Sequence, residues 1–203
     1  MTSFVSRILF LRGLGWQNPD PVLTNLYLDQ LEKTLEKILH PHKVEVVKLI
    51  SPSNYAEYHP YLRSLNLSSY DLIIGHSSGA NALMRLSETE RIEDALLIAP
   101  TFTHLLDPTE KRTGWFNTPW MWSDMKANVG NWYQISSTND PYINLRESRI
   151  IHKRLNTVYF ELDRQGHFSN WFKLGSHEST RLKLLVDQIT GKDMPFKAQL
   201  REH

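Results

Sequence analysis

Along the chain, short runs of Ile, Leu and Val alternate with longer stretches whose apolar residues recur every three or four positions. The short runs fall at 8–11, 44–49, 72–74, 95–98, 132–136 and 158–162. Several are almost continuously apolar, as strands are when both faces of a sheet are covered. The longer stretches at 23–39, 78–88, 146–155 and 177–189 read as helices. In the first of them, Leu28, Leu31, Leu35, Ile38 and Leu39 form one stripe. Strands and helices alternating in this way predict an α/β fold with a doubly wound, mostly parallel sheet. Right-handed crossovers place helices on both of its faces. Residues 100–129 break the pattern, with Pro100, Pro108, Gly114 and Pro119 among Trp115, Phe116, Trp120, Met121 and Trp122. This segment reads as an excursion over the carboxyl edge of the sheet, containing one short helix.

Composition narrows the function classes. The 203 residues suit one domain, 1–203, with 192–203 as a C-terminal tail. A chain of this size buries enough core to fold without a metal or disulfide, and no metal or other cofactor is expected. There are no cysteines, which excludes thiolate ligands and a cysteine nucleophile. Basic and acidic residues number 23 and 22, so the basic excess of a nucleic-acid-binding surface is missing. The apolar run at the N-terminus is interrupted by Arg7 and Arg12, which marks a first strand rather than a leader. No stretch is long enough to span a bilayer, and the expected location is the cytoplasm.

The most informative local pattern is Gly75-His76-Ser77-Ser78-Gly79, a G-x-S-x-G sequence between the apolar run 72–74 and a helix beginning with Ala80 and Ala82. A serine at so sharp a strand-to-helix turn takes a strained backbone conformation and projects its hydroxyl away from the sheet. Side chains two positions to either side would collide with the turn, hence the two glycines. A glycine-rich turn of this kind can also hold phosphate at the helix N-terminus. The chain has neither the Gly-Lys-Ser/Thr of a phosphate loop nor the three glycines of a dinucleotide fingerprint, so Ser77 is read as a nucleophile.

Hydrolases built on this elbow order their groups as serine, acid, histidine. Among nine histidines, His167 in Gln165-Gly166-His167-Phe168 follows the last strand and so opens at the edge where Ser77 emerges. His40, His42, His59, His104, His152, His177 and His203 lie in turns, irregular segments, exposed helix positions or the tail and are read as solvated. His76, adjacent to Ser77, is assigned to packing or to the pocket. The acid is assigned to Asp140, in Thr138-Asn139-Asp140-Pro141-Tyr142 after the penultimate strand. Asp163 is the rival, nearer to His167 in sequence but sharing its strand end. In this scheme His167 takes the Ser77 proton, and Asp140 sets the imidazole tautomer. The oxyanion donors are the backbone N–H of Ser78 and, from the loop after the first strand, that of Leu14. Trp16, His76, Trp115, Phe116 and Phe168 are candidates to line a substrate pocket for a small apolar or aromatic group.

These motifs, with Arg112-Thr113-Gly114-Trp115-Phe116-Asn117-Thr118-Pro119-Trp120, resemble the retinoblastoma-binding-protein-9-like serine hydrolases over about residues 8–185. The resemblance implies a compact α/β-hydrolase without the first strands of larger hydrolases, here a six-stranded sheet in the order 2-1-3-4-5-6. It also implies the triad Ser77, Asp140 and His167, and a small ester, amide or aminoacyl substrate. The L-x-C-x-E motif behind the family's name requires a cysteine, so retinoblastoma-type pocket-protein binding is not expected of this chain. The first loop reads Arg12-Gly13-Leu14-Gly15-Trp16 in place of a run of glycines. Two other classes fit the same residues: a hydrolase-like protein-interaction module with little or no catalysis, and a doubly wound small-ligand binder with a coincidental elbow. Labelling of Ser77 by a fluorophosphonate separates both from an enzyme.

Overall fold

Alternate rows of apolar residues run straight across the sheet and decide which helices cover each face. The computed structural model describes residues 5–13, 21–47 and 55–191. Its six strands are β1 (Arg7–Leu11), β2 (Lys43–Val46), β3 (Leu72–His76), β4 (Ile92–Ile98), β5 (Val129–Ser137) and β6 (Val158–Leu162). They pair in the order β2-β1-β3-β4-β5-β6, each pair parallel. In register, Val46, Phe10, Ile74, Leu96 and Tyr133 form one row, and Leu9, Ile73, Ala95 and Trp132 form the next. Side chains of neighbouring rows point to opposite faces. The first row belongs to a core closed by α1 (Pro21–Ile38) and α7 (His177–Gly191). The second belongs to a core closed by α2 (Tyr55–Ser64), α3 (Ser78–Leu86) and α6 (Leu145–Leu155).

The α/β architecture and strand order agree with the sequence reading, and every pairing is parallel rather than most of them. Strand β2 ends at Val46, while the expected strand ran on to Leu49, and residues 48–50 lie outside the described residues. Helix α2 was not expected. Pro60 sits inside it, where proline forgoes a backbone hydrogen bond, and its buried anchors among the described side chains are Tyr58 and Leu62, one turn apart.

The excursion carries two short helices instead of one, α4 (Pro108–Arg112) and α5 (Trp122–Asn128). Helix α4 starts on a cap: Asp107 accepts from the N–H groups of Thr109 (2.6 Å) and Glu110 (3.2 Å), and Pro108 occupies the first turn, where no N–H is needed. The excursion is tied down by buried charge. Arg85 of α3 donates to the carbonyls of Trp115 (2.8 and 2.7 Å), Thr118 (2.7 Å) and Pro119 (3.2 Å), pairs with Glu88 (2.7 Å), and lies 3.7 Å from the Trp120 ring centroid. A planar guanidinium suits this task because its fork of donors satisfies several carbonyls while its face stacks on an indole. At the start of the segment, Glu147 of α6 accepts from Thr101 Oγ1 and from the N–H groups of Phe102 and Thr103.

Candidate active site

In an all-parallel sheet the carboxyl ends of the strands share one edge, so loops far apart in sequence meet there. Ser77 leaves the end of β3 with φ 56° and ψ −124°, a region that non-glycine residues avoid and that is a site of stored strain. Its backbone is held on both sides: the N–H donates to the Ile98 carbonyl (2.9 Å), and its carbonyl accepts from Ala80 (2.8 Å). The glycines of the motif are there because chains cross. A Cβ at Gly75 would stand 2.6 Å from the Gly79 carbonyl oxygen, and one at Gly79 would fall on the Leu11 carbonyl at the end of β1. The chain leaving β1 also passes the serine, since a Cβ on Gly13 would lie 3.2 Å from Ser77 Oγ. Leu14 and Trp16, the next candidates on that loop, lie outside the described residues.

His167 and Asp140 come together from the loops after β6 and β5. His167 Nδ1 is 2.8 Å from Asp140 Oδ2, and Asp140 Oδ1 accepts from the N–H groups of Tyr142 (2.9 Å) and Ile143 (3.0 Å). A carboxylate held by three donors keeps one orientation. The neutral imidazole then carries its proton on Nδ1, leaving Nε2 as an acceptor. Asp163, the rival acid, faces solvent and takes its bonds from Thr138 Oγ1 and Arg164. The two loops are stitched to each other as well. Asn139 Oδ1 accepts from Gly166 N (2.8 Å), and Ser137 Oγ accepts from Gln165 N (2.9 Å). Thr138 N donates to the Leu162 carbonyl (2.9 Å).

No hydrogen bond joins Ser77 to His167 among the described residues. His76 links the elbow to the loop that carries His167: its Nε2 lies 3.0 Å from the His167 carbonyl oxygen and its ring centroid is 4.9 Å from that of His167. Burial pushes the His76 imidazole down to about 3, and the neighbouring His167 acts in the same direction, so His76 is neutral around pH 7.

Two sequence candidates for the pocket are core residues instead. Trp115 is wholly buried and packs edge-on against Tyr55 and Tyr58 of α2 (5.2 and 5.8 Å). Phe168 is wholly buried on the opposite face of the sheet against Trp171 (5.3 Å). A large apolar ring gains most where water is fully excluded, and both segments turn these rings inward. Phe116 is half-buried between His104 and Trp120. His42 is a further correction: far from being solvated, it is buried between Ser6 and Asp187.

Several neighbours of the site went unread in the sequence. Tyr142 stands edge-on to His167 (4.9 Å) and is otherwise exposed. Its place in Asp140-Pro141-Tyr142 was the available signal. Glu110 of α4 accepts from Ser78 Oγ (3.3 Å), its second oxygen is buried without a partner, and burial raises its pKa. Nothing in the local sequence brings Glu110 to the elbow, because the meeting depends on the path of the excursion. A groove of about 520 Å³ lined by Trp122, Ser123, Lys126, Ile150, Lys153 and Arg154 shares no residue with this cluster. Among the described residues, no group of three or more His, Asp or Glu is arranged to hold a metal ion, and no helix is long and apolar enough to cross a membrane.

Comparison with known proteins gives the family and the fold. The serine hydrolase family profile matches residues 32–185. The chain is 35% identical over 112 residues to serine hydrolase RBBP9 of Rattus norvegicus, a region covering 55% of this chain and 60% of that protein's length. Among solved structures, the ydeN gene product of B. subtilis superposes with a TM-score of 0.67 at 14% identity, covering 92% of this chain and all of the other. A carboxylesterase structure from Nitrososphaera gargenis superposes with a TM-score of 0.64 at 12% identity, covering 95% of this chain and 93% of the other. At these identities the structural likeness speaks for the fold.

Proposed function

Because this chain belongs to the serine hydrolase family, we propose that it cleaves a small ester, amide or aminoacyl substrate through an acyl-enzyme formed on Ser77. The observation that carries this reading is the 2.8 Å bond from His167 Nδ1 to a fully held Asp140, on the same edge as the strained serine. In the first half-reaction Ser77 Oγ attacks the substrate carbonyl carbon and His167 Nε2 takes the hydroxyl proton. The C–O or C–N bond to the leaving group then breaks, and His167 returns the proton to the departing alcohol or amine. In the second half-reaction a water attacks the acyl carbon, His167 accepts its proton, and the acid leaves as Ser77 Oγ regains a proton. Asp140 steadies the imidazolium in both halves and is not itself protonated.

The negative charge on the tetrahedral oxygen needs donors already in place. Ser78 opens α3, where the first N–H groups of a helix have no partner within it. Its N–H is the first donor in this scheme, and Leu14 N–H the second. Burial raises the pKa of the neighbouring Glu110, which its hydrogen bond from Ser78 opposes. A fluorophosphonate tests the reading directly. Mass spectrometry should find one probe per chain on Ser77, and Ser77→Ala should take up none. A folded wild-type protein that ignores the probe would overturn the proposal.

A further inference from the structure

We propose that His76 is a positioning residue for the base, its Nε2–H gripping the backbone carbonyl of His167 so that the segment carrying the nucleophile also sets the place of the imidazole. The inference rests on the Ser77–His167–Asp140 reading and deepens it. A carbonyl oxygen only accepts, so the 3.0 Å contact requires the proton on His76 Nε2. That nitrogen has no second donor to offer a substrate, which argues against the pocket role first given to His76. The ring is clamped between His167 (4.9 Å) and Phe172 (5.0 Å), and Phe172 stands edge-on to Phe10 of β1 (5.2 Å).

The base loop needs such holds. Arg164, Gly166 and Phe168 all have positive φ, so the turn that presents His167 includes two non-glycine residues in an unfavoured conformation. Three atoms around the imidazole are each held by a different residue: Gly166 N by Asn139, Nδ1 of the ring by Asp140, and the His167 carbonyl by His76. The first two come from the β5 loop and fix the imidazole relative to the acid. Only the third comes from the residue next to Ser77. His76 therefore controls the distance between nucleophile and base without touching the reacting atoms. Its neutrality, imposed by burial, also keeps a second positive charge away from His167 when that ring is protonated.

The test compares donor and donorless variants on an activated ester together with the rate of Ser77 labelling. His76→Phe keeps a flat ring and removes the donor. Its kcat and labelling rate should fall roughly 10- to 100-fold, the scale on which misplacing a catalytic group is felt. KM should stay within about twofold, because ground-state binding is not involved. His76→Gln, which restores an N–H at similar reach, should recover most of the loss. Wild-type rates in folded His76→Phe would overturn the proposal, as would a folded His76→Gln no faster than His76→Phe. If the Phe variant does not fold, ¹⁵N-imidazole spectra of the wild-type protein decide. A neutral Nε2–H tautomer at pH 6 is expected, and an Nδ1–H tautomer or a charged ring would sink the idea. Failure of the triad reading looks different, since wild-type protein would then not be labelled at all.

Discussion

Among the described residues, two histidine–carboxylate pairs stand at opposite edges of the sheet, and they are built in opposite senses. At the carboxyl edge, the His167 side chain keeps 15% of its surface exposed while that of Asp140 keeps 2%. At the amino edge, the His42 side chain is 5% exposed and that of its partner Asp187 is 37% exposed. His167 turns Nδ1 to its carboxylate, and its Nε2 makes no hydrogen bond within the described residues. His42 turns Nε2 to Asp187 (3.0 Å), and its Nδ1 accepts from the N–H of Ser6 (3.2 Å). Both nitrogens of His42 are consumed by the fold, and Asp187 is further shared with Lys183 (2.8 Å). A histidine beside an aspartate is thus not in itself a catalytic arrangement. On the proposed reading, what sets the His167 pair apart is a hidden acid, a reachable ring and a nitrogen left over.

The contrast can be broken from either side. The largest effect belongs to Asp140→Asn, which preserves shape but removes the charge that selects the tautomer. The turnover number is expected to drop about 10⁴-fold with little change in melting temperature, following the behaviour of buried triad acids. An unchanged rate would mean that Asp140 does not orient the base. Next comes His42→Ala. It strands the buried Ser6 N–H and should cost about 1–3 kcal/mol in chemical denaturation, while leaving Ser77 labelling by the folded protein at the wild-type rate. Loss of labelling there would show that the two pairs are coupled. The smallest effect is expected for Asp163→Asn, whose exposed side chain holds only Thr138 and Arg164. Both kcat/KM and stability should stay close to wild type, since surface changes away from such networks usually lie within about 0.5 kcal/mol. A large loss of turnover would return the acid's role to Asp163.

Much of the site is legible in the chain because local geometry dictates it. Ser77 is flanked by glycines that its turn makes obligatory, and one parallel sheet guarantees that residues just after β3, β5 and β6 face one another. The choice between Asp140 and Asp163 was harder, since both follow strands at that edge. Distance settles contact with His167 in favour of Asp140, whose loop folds back so that Tyr142 and Ile143 clamp the carboxylate. Helix α2 escaped notice because Pro60 and a thin apolar stripe mask its period.

Alternating apolar runs and a tight Gly-x-Ser-x-Gly turn determine the sheet, the two cores and the serine's location, since these depend on neighbours within a few residues. The tertiary structure alone decided that Trp115 and Phe168 serve the core, that His42 is buried, that Glu110 reaches Ser78, and that His76 meets the His167 carbonyl. Such roles depend on which distant segment arrives to cover a side chain or accept its proton. No periodicity along the chain encodes that arrival.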